Sequence, residues 1–171
     1  MASNRPASYS VTQILIHWIV AFLVISQLVF SEGMEDAYHA FTKGKELSTA
    51  DVISANTHVI IGFAILALAA IRLIIRAVRG VPGAPEGQSG PKVWIATATQ
   101  AFLYLVIFVM PITGALAWFG GYVTMAEIHA YAKPLIVLAV LVHLGGALMQ
   151  HYVAKTDVLV RMMRAEKKRV A

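Results

Sequence analysis

HAYAKPLIVLAVLVHLGGALMQHYV occupies residues 129–153, and the architecture of the chain can be predicted outward from it. Two histidines within it, His129 and His143, bracket an apolar run and stand 14 residues apart. Fourteen residues make about four helical turns, so both imidazoles fall on one face of a helix, ~21 Å apart along its axis. This is most of the thickness of a bilayer's hydrocarbon core, which is ~30 Å. Because lipid offers no water to bond, we expect both rings to face a bundle interior and to find partners there.

The composition indicates an integral membrane protein in contact with lipid. Of the 171 residues, 58% are hydrophobic and 13% are charged, whereas a soluble domain carries about twice that charged fraction. The chain has no cysteine, which excludes disulfides, thiolate-ligated iron–sulfur clusters and covalent haem attachment through C-x-x-C-H. The net charge of +5 would suit nucleic acid, but the mean hydropathy of +0.71 argues against that partner.

Four apolar stretches are long enough to span a bilayer as helices. We therefore predict an all-α, integral membrane four-helix bundle that forms a single transmembrane domain over residues 1–171. The predicted helices are at about 11–30, 50–77, 92–119 and 125–153.

Start signals support these helices. Capping-box spacing precedes the first and fourth, at Ser10–Gln13 and Thr124–Glu127. In the polar connection 31–54, Ser48 with Asp51 is a candidate cap that would extend the second helix outward. Proline suits the first turn of the third helix at position 91, and a second proline lies inside that helix at position 111.

Lysine and arginine predict the orientation. With the N-terminus inside, 11 of the 14 basic residues are cytoplasmic, and only Lys43, Lys45 and Lys133 are outside. This bias predicts that both termini are inside. The basic cytoplasmic tail 155–171 mixes apolar side chains with positive charge, which predicts a short C-terminal interfacial helix on the inner leaflet.

Depth along the helices sorts four of the six histidines into two pairs. His17 and His143 lie toward the inner side, and His58 and His129 lie toward the outer side. Antiparallel neighbours in a four-helix bundle can place such residues across the core from one another. A lone membrane histidine often only bonds a neighbouring helix, but two depth-matched pairs favour ligation. Two imidazoles per site suit a haem closed to exogenous ligands, which moves single electrons.

Other residues fit a haem as packing or charge partners. Gly62 and Gly146 lie about one turn after His58 and His143, and Gly114 lies in the third helix. A flat macrocycle against a helix needs a missing side chain at such a position. The arginines toward the inner end of the second helix are candidates for bidentate pairing with haem propionates, beside their role in topology; they are Arg72 and Arg76.

The remaining histidines and methionines have simpler interpretations. We interpret His39 as a solvated outer-loop residue and His151 either as a polar interfacial residue or as part of a site. Met110 and Met149 are candidate axial ligands but are more typical of packing residues.

The motifs together resemble the bacterial cytochrome b561 family of small, dihaem inner-membrane proteins. They are Ile16-His17-Trp18, His58 with Gly62, Pro111-Ile-Thr-Gly114, and His129…His143 followed by Ala-Leu-Met-Gln-His-Tyr. The resemblance implies two haem b groups, an inner one on His17 and His143 and an outer one on His58 and His129. It also implies a multi-pass protein of the bacterial inner membrane. Gln150 departs from the family, which often has His there, and this weakens any role for His151.

The resemblance implies electron exchange with quinone, and in some members oxidation of superoxide. The outer segments carry six carboxylates against three lysines, a net of −3 that would slow the arrival of an anionic substrate. A periplasmic redox protein is a further candidate partner. Aromatic and basic residues that otherwise anchor interfaces are candidates for lining a quinone pocket, and the sequence does not choose between two sets: Lys92, Trp94 and Trp18 near the inner face, or Trp118, Tyr122 and Lys133 near the outer face.

The leading hypothesis is a quinone-linked electron-transfer oxidoreductase that moves single electrons across the bilayer. One alternative is a haem-bearing membrane-anchor subunit of a larger dehydrogenase or hydrogenase. A haem-free metal or proton transporter using the same histidines is less favoured, because the apolar runs hold no carboxylate or thiolate.

Overall fold

The structure, a computed structural model, describes residue 6 and residues 8–85 and 90–165. Within them the chain forms six α-helices and no strand: α1 Val11–Val29, α2 Glu32–Thr42, α3 Thr49–Arg79, α4 Pro91–Gly120, α5 Val123–Tyr152 and α6 Val158–Arg161. The four long helices, α1, α3, α4 and α5, are each apolar and long enough to cross a membrane. The predicted all-α class, with four candidate spans and a short C-terminal helix, is confirmed.

Capping explains where two of the long helices begin. The Ser10 hydroxyl accepts the backbone N–H of Gln13, and the Gln13 side chain accepts the Ser10 N–H in return at 2.9 Å. The same reciprocal pair forms between Ser48 and Asp51 before α3. Such boxes satisfy donors that the first helical turn leaves unpaired. The predicted box at Thr124 is wrong, because α5 begins one residue earlier and its N-cap, Tyr122, makes no side-chain hydrogen bond.

Helix α2 was not expected from the sequence, which suggested only a polar connection here. It packs on the end of α3 that begins at Thr49, which is the predicted outer end. Gly33 permits a close approach there, since a Cβ built on Gly33 would lie 3.0 Å from the Cβ of Ser54. It also reaches α4, since the rings of Phe41 and Trp118 have centroids 5.4 Å apart. Helix α2 therefore lies over the outer end of the bundle.

Hydrogen bonds join helices α1 and α3 at two levels of the bundle. Near the outer end, Gln27 Nε2 donates to the His58 carbonyl oxygen at 2.8 Å. Near the inner end, Arg72 Nη1 donates to the Gln13 carbonyl oxygen at 3.1 Å. The two contacts are 14 residues apart on each helix, so the antiparallel register is the same over ~21 Å.

The interior between these helices and α5 is loosely filled. Helix α4 packs most extensively on α5 and also joins α3, but neither α1 nor α3 is closely packed against α5 within the described residues. No large side chain of the described chain is fully buried, and half of its buried hydrophobic residues are alanines: Ala37, Ala55, Ala69, Ala117 and Ala139. The histidine-bearing helices thus leave space between them.

The inner end is closed by the C-terminal segment. Trp18 Nε1 of α1 donates to the Met162 carbonyl oxygen at 2.7 Å, and Arg161 Nη1 donates to the Gly83 carbonyl oxygen at 3.0 Å. In the described part of the tail, residues 155–165, the predicted helix corresponds to the four residues of α6. The basic residues Arg5, Lys167, Lys168 and Arg169 lie outside the described residues.

Candidate functional site

The four histidines expected from the sequence meet in the two expected pairs. The rings of His17 on α1 and His143 on α5 have centroids 6.2 Å apart. Those of His58 on α3 and His129 on α5 have centroids 6.0 Å apart. Helix α5 thus contributes one ring to each pair, at two levels of the bundle.

Both separations suit two imidazoles on opposite sides of one metal ion. A metal–imidazole nitrogen bond is ~2.0 Å, so two rings facing each other through a metal have centroids about 6 Å apart. The two pairs also have similar interplanar angles, 71° for His17 and His143 and 67° for His58 and His129. Among the described residues no three histidine, cysteine or carboxylate side chains gather at one point, so each candidate site consists of two imidazoles.

The His129 ring is oriented by the backbone of α4. Its Nδ1 lies 2.9 Å from the Met110 carbonyl oxygen, which can only accept, so Nδ1 carries the proton and donates it. This assignment leaves Nε2 without a proton and able to ligate. A backbone carbonyl behind a histidine is the usual second partner of a metal-bound imidazole.

Gly114 explains how the His129 ring fits against α4. A Cβ built on Gly114 would lie 2.9 Å from Cε1 and 3.1 Å from Nδ1 of His129. Real Cβ atoms do not approach other atoms so closely, so a side chain at position 114 would push the imidazole away. The space beside this glycine is therefore taken by the His129 ring itself.

The opposite ring, His58, has an unsatisfied nitrogen. Its Nδ1 is buried and has no hydrogen-bond partner among the described residues. Leaving a buried polar atom unpaired costs free energy. Such an orphaned nitrogen fits a site whose remaining partner is a bound group.

A cavity of about 610 Å³ surrounds the outer pair and is bounded mainly by apolar side chains. Gly62, Gly114 and Met110 line it together with both histidines. Helix α2 contributes Met34, Glu35, Tyr38 and His39 to its outer rim, and α5 contributes Lys133. An apolar cavity of this size is typical of a site for a small organic ligand or cofactor.

Arg72 dominates the charge at the inner pair. Its positive charge interacts electrostatically with both His17 and His143. The guanidinium also donates from Nε to the Tyr104 hydroxyl at 3.0 Å, besides its bond to the Gln13 carbonyl. Arg76 lies one turn further along α3. Beside Gly146 there is open space, since a Cβ built there meets nothing within 4 Å.

The aromatic and sulfur side chains singled out from the sequence lie in different surroundings. Trp118 lines the outer cavity. Trp94, Tyr122, Tyr152 and Met149 are exposed on the bundle surface. His39 is exposed at the rim of the outer cavity. The Nδ1 of His151 is buried without a partner among the described residues, and its ring packs against Tyr152.

Sequence reasoning missed the groups that hold the histidines in place. The Met110 carbonyl behind His129 and the Gln27 amide on the His58 carbonyl are long-range contacts that no local pattern reveals. A signal for α2 was present: Met34, Ala37 and Phe41 follow the i, i+3, i+7 spacing of an amphipathic helix.

A four-span helical bundle with paired imidazoles between its helices defines a class, the membrane b-type cytochromes. Comparison with known proteins agrees. The sequence profile of the family described as prokaryotic cytochrome b561 matches residues 8–165. A cytochrome b562 from Cereibacter sphaeroides is 38% identical over 161 residues, which cover 94% of this chain and 98% of that relative.

The chain therefore belongs to the prokaryotic cytochrome b561 family. It is a membrane cytochrome, and membership of this family implies haem b as the cofactor and electron transfer as the function.

Proposed function

We propose that the chain is a two-haem cytochrome that carries single electrons between the two sides of the bacterial inner membrane and exchanges them with quinone. The observation that supports this most strongly is the recurrence of one ring separation, 6.2 Å and 6.0 Å, at two levels of the bundle. One site would suffice for a carrier confined to one face. Two sites ~21 Å apart along α5 suit transfer through the membrane.

His17 and His143 would hold the inner haem, and His58 and His129 would hold the outer one. Bound haem would supply reversible one-electron transfer, and ligation by two imidazoles would leave no position open to oxygen. The chain's own contribution is ligation, orientation and exclusion of water. At the outer site the Met110 carbonyl fixes the His129 ring by accepting its Nδ1–H at 2.9 Å, and α2 covers the rim.

Charge supports an orientation with both termini in the cytoplasm. Seven described lysines and arginines lie at the end of the bundle that carries the start of α1 and the ends of α3 and α5: Arg72, Arg76, Arg79, Lys92, Lys155, Arg161 and Arg164. At the other end only Lys43, Lys45 and Lys133 lie within the described residues. Retention of basic residues in the cytoplasm orients such bundles in the bacterial inner membrane.

The first test is the number of haems per chain. Purified protein should contain two haem b groups and show their absorption bands in a reduced-minus-oxidised spectrum. His143→Ala should lose one of them and keep the other, because only the inner pair is broken. Leu144→Ala is the matched control, since this neighbour of His143 in α5 is exposed and belongs to neither pair, and it should retain both. One haem or none in the wild type would reject the two-site proposal.

The second test concerns quinone. When the reduced protein is mixed with ubiquinone in a stopped-flow instrument, its haems should be oxidised, which is seen as loss of the absorption bands of reduced haem. This oxidation should be as fast as the turnover of quinone in the membrane. Mixing of the oxidised protein with superoxide tests the anionic substrate separately. Reduction by superoxide would show that this anion reaches a haem despite the net negative charge of the outer segments. Failure with quinone, together with co-purification of a soluble redox subunit, would instead favour an anchor subunit.

A further inference from the structure

Lys133 lies beside the outer histidine pair. It follows His129 by four residues, one turn along α5, and its side chain lines the same cavity. Among the described residues that line this cavity it is the only lysine or arginine. Arg72 and Arg76, the arginines singled out for haem propionates, belong to the inner end of α3.

The Lys133 ammonium is already used to bridge two helices. Its Nζ donates to the Ser31 hydroxyl, just before α2, at 2.6 Å and to Glu35 Oε1 of α2 at 2.8 Å. An ammonium group has three N–H donors, and these two bonds are the ones it makes among the described residues. One donor therefore remains for a further acceptor.

The cavity requires such a donor if a carboxylate enters it. Its walls are mostly apolar, and the other charged side chains that line it are Glu35 and Glu127. A carboxylate brought into these surroundings would be desolvated and repelled unless a cation met it. Haem b carries two propionate carboxylates on one edge, so the outer site must provide for this edge as well as for the iron.

We propose that Lys133 is the cationic partner of a haem propionate at the outer site and shares its ammonium between that carboxylate and Glu35. The inference rests on the proposed function, since it presumes a haem on His58 and His129. Its consequence is that α2 and the cofactor hold the same lysine. Helix α2 is then coupled to occupancy of the outer site.

The rival explanation is that Lys133 only latches α2 to α5. The two explanations differ for the double variant Ser31→Ala/Glu35→Met, which removes both acceptors of the Lys133 ammonium on or beside α2. A latch would be broken equally by Lys133→Met and by this double variant. A propionate partner would be lost only in Lys133→Met, because the double variant leaves the ammonium in place.

The experiment measures the rate at which the full-length protein in detergent loses its outer haem to excess apomyoglobin. The outer haem is identified as the one that His129→Ala abolishes. Lys133→Met should speed its loss roughly tenfold, as expected for a charge-assisted hydrogen bond. Lys133→Arg, the double variant Ser31→Ala/Glu35→Met and the matched outer control Lys43→Met should stay close to the wild-type rate. Lys43 is exposed and is not among the residues lining the cavity.

A second arm tests the carboxylate itself. Wild type and Lys133→Met are reconstituted with haem b or with its dimethyl ester, in which both propionates are neutral. The effect of Lys133→Met should vanish with the ester. Equal acceleration by Ser31→Ala/Glu35→Met, an effect that persists with the ester, or no effect of Lys133→Met would each overturn the inference. A wild type without two haems would instead overturn the proposed function, so the two failures are distinct.

Discussion

The outer and inner histidine pairs have almost the same ring separation but very different surroundings. The outer pair opens into a cavity whose rim is formed by a separate helix, α2, and by a lysine with two partners on or beside that helix. The inner pair lies beside an arginine that is bonded to α1 and α4. Helix α5 thus sets the spacing of the rings, whereas each site is supported independently. Each site should therefore be open to perturbation without loss of the other.

The largest difference in haem content between the two sites is expected from Gly114→Ala. The added methyl group would lie 2.9 Å from His129 Cε1, and relieving such overpacking costs up to about 3 kcal/mol. The variant should lose most of its outer haem and keep its inner haem, as measured by haem content and the reduced-minus-oxidised spectrum. Gly145→Ala is the control, because a Cβ there meets nothing within 4 Å. Full retention of both haems would show that the ring can move aside.

A smaller effect, on the other site, is expected from Arg72→Met. The change removes the bonds to the Tyr104 hydroxyl and the Gln13 carbonyl. Since the side chain is partly exposed, the free energy of unfolding should fall by about 1–2 kcal/mol. Thermal unfolding in detergent measures this loss, and the inner haem should change its midpoint potential while the outer one does not. The exposed Arg79, in the same helix, provides the control variant Arg79→Met; equal changes at both haems would contradict independent support.

The smallest effect is expected from Trp18→Phe. This removes the indole N–H that donates to the Met162 carbonyl at 2.7 Å, an exposed hydrogen bond that should contribute about 0.5 kcal/mol. The C-terminal segment should become more sensitive to limited proteolysis while both haems remain. The control is Trp94→Phe, at a side chain that is 72% exposed. Loss of the inner haem would mean that the segment supports the site itself.

The parts of the structure that follow a helical period were predictable. The 14-residue spacing of His129 and His143 fixes a face and a depth difference, and hydropathy fixes the spans, so the histidine pairing followed from counting residues. The reciprocal caps at Ser10 and Ser48 are local and were also confirmed.

The supporting contacts could not be predicted, because they join residues far apart in sequence. Lys133 and Glu35 are 98 residues apart, and Gln27 and His58 are 31 apart. Such pairs depend on how each helix is rotated and on where α2 folds back, which no local pattern encodes. Helix α2 was not predicted, because the acidic residues of its first turn, Glu32 and Glu35, give the segment the composition of a loop.

Electron paramagnetic resonance of the oxidised protein tests the pairing of imidazoles most directly. Two low-spin ferric signals should be present in the wild type. His17→Ala and His143→Ala should each abolish one of them, and His58→Ala and His129→Ala should each abolish the other. A substitution in one pair that removes the signal of the other pair, or a signal that survives the loss of its histidine unchanged, would contradict two irons held between α5 and its neighbours.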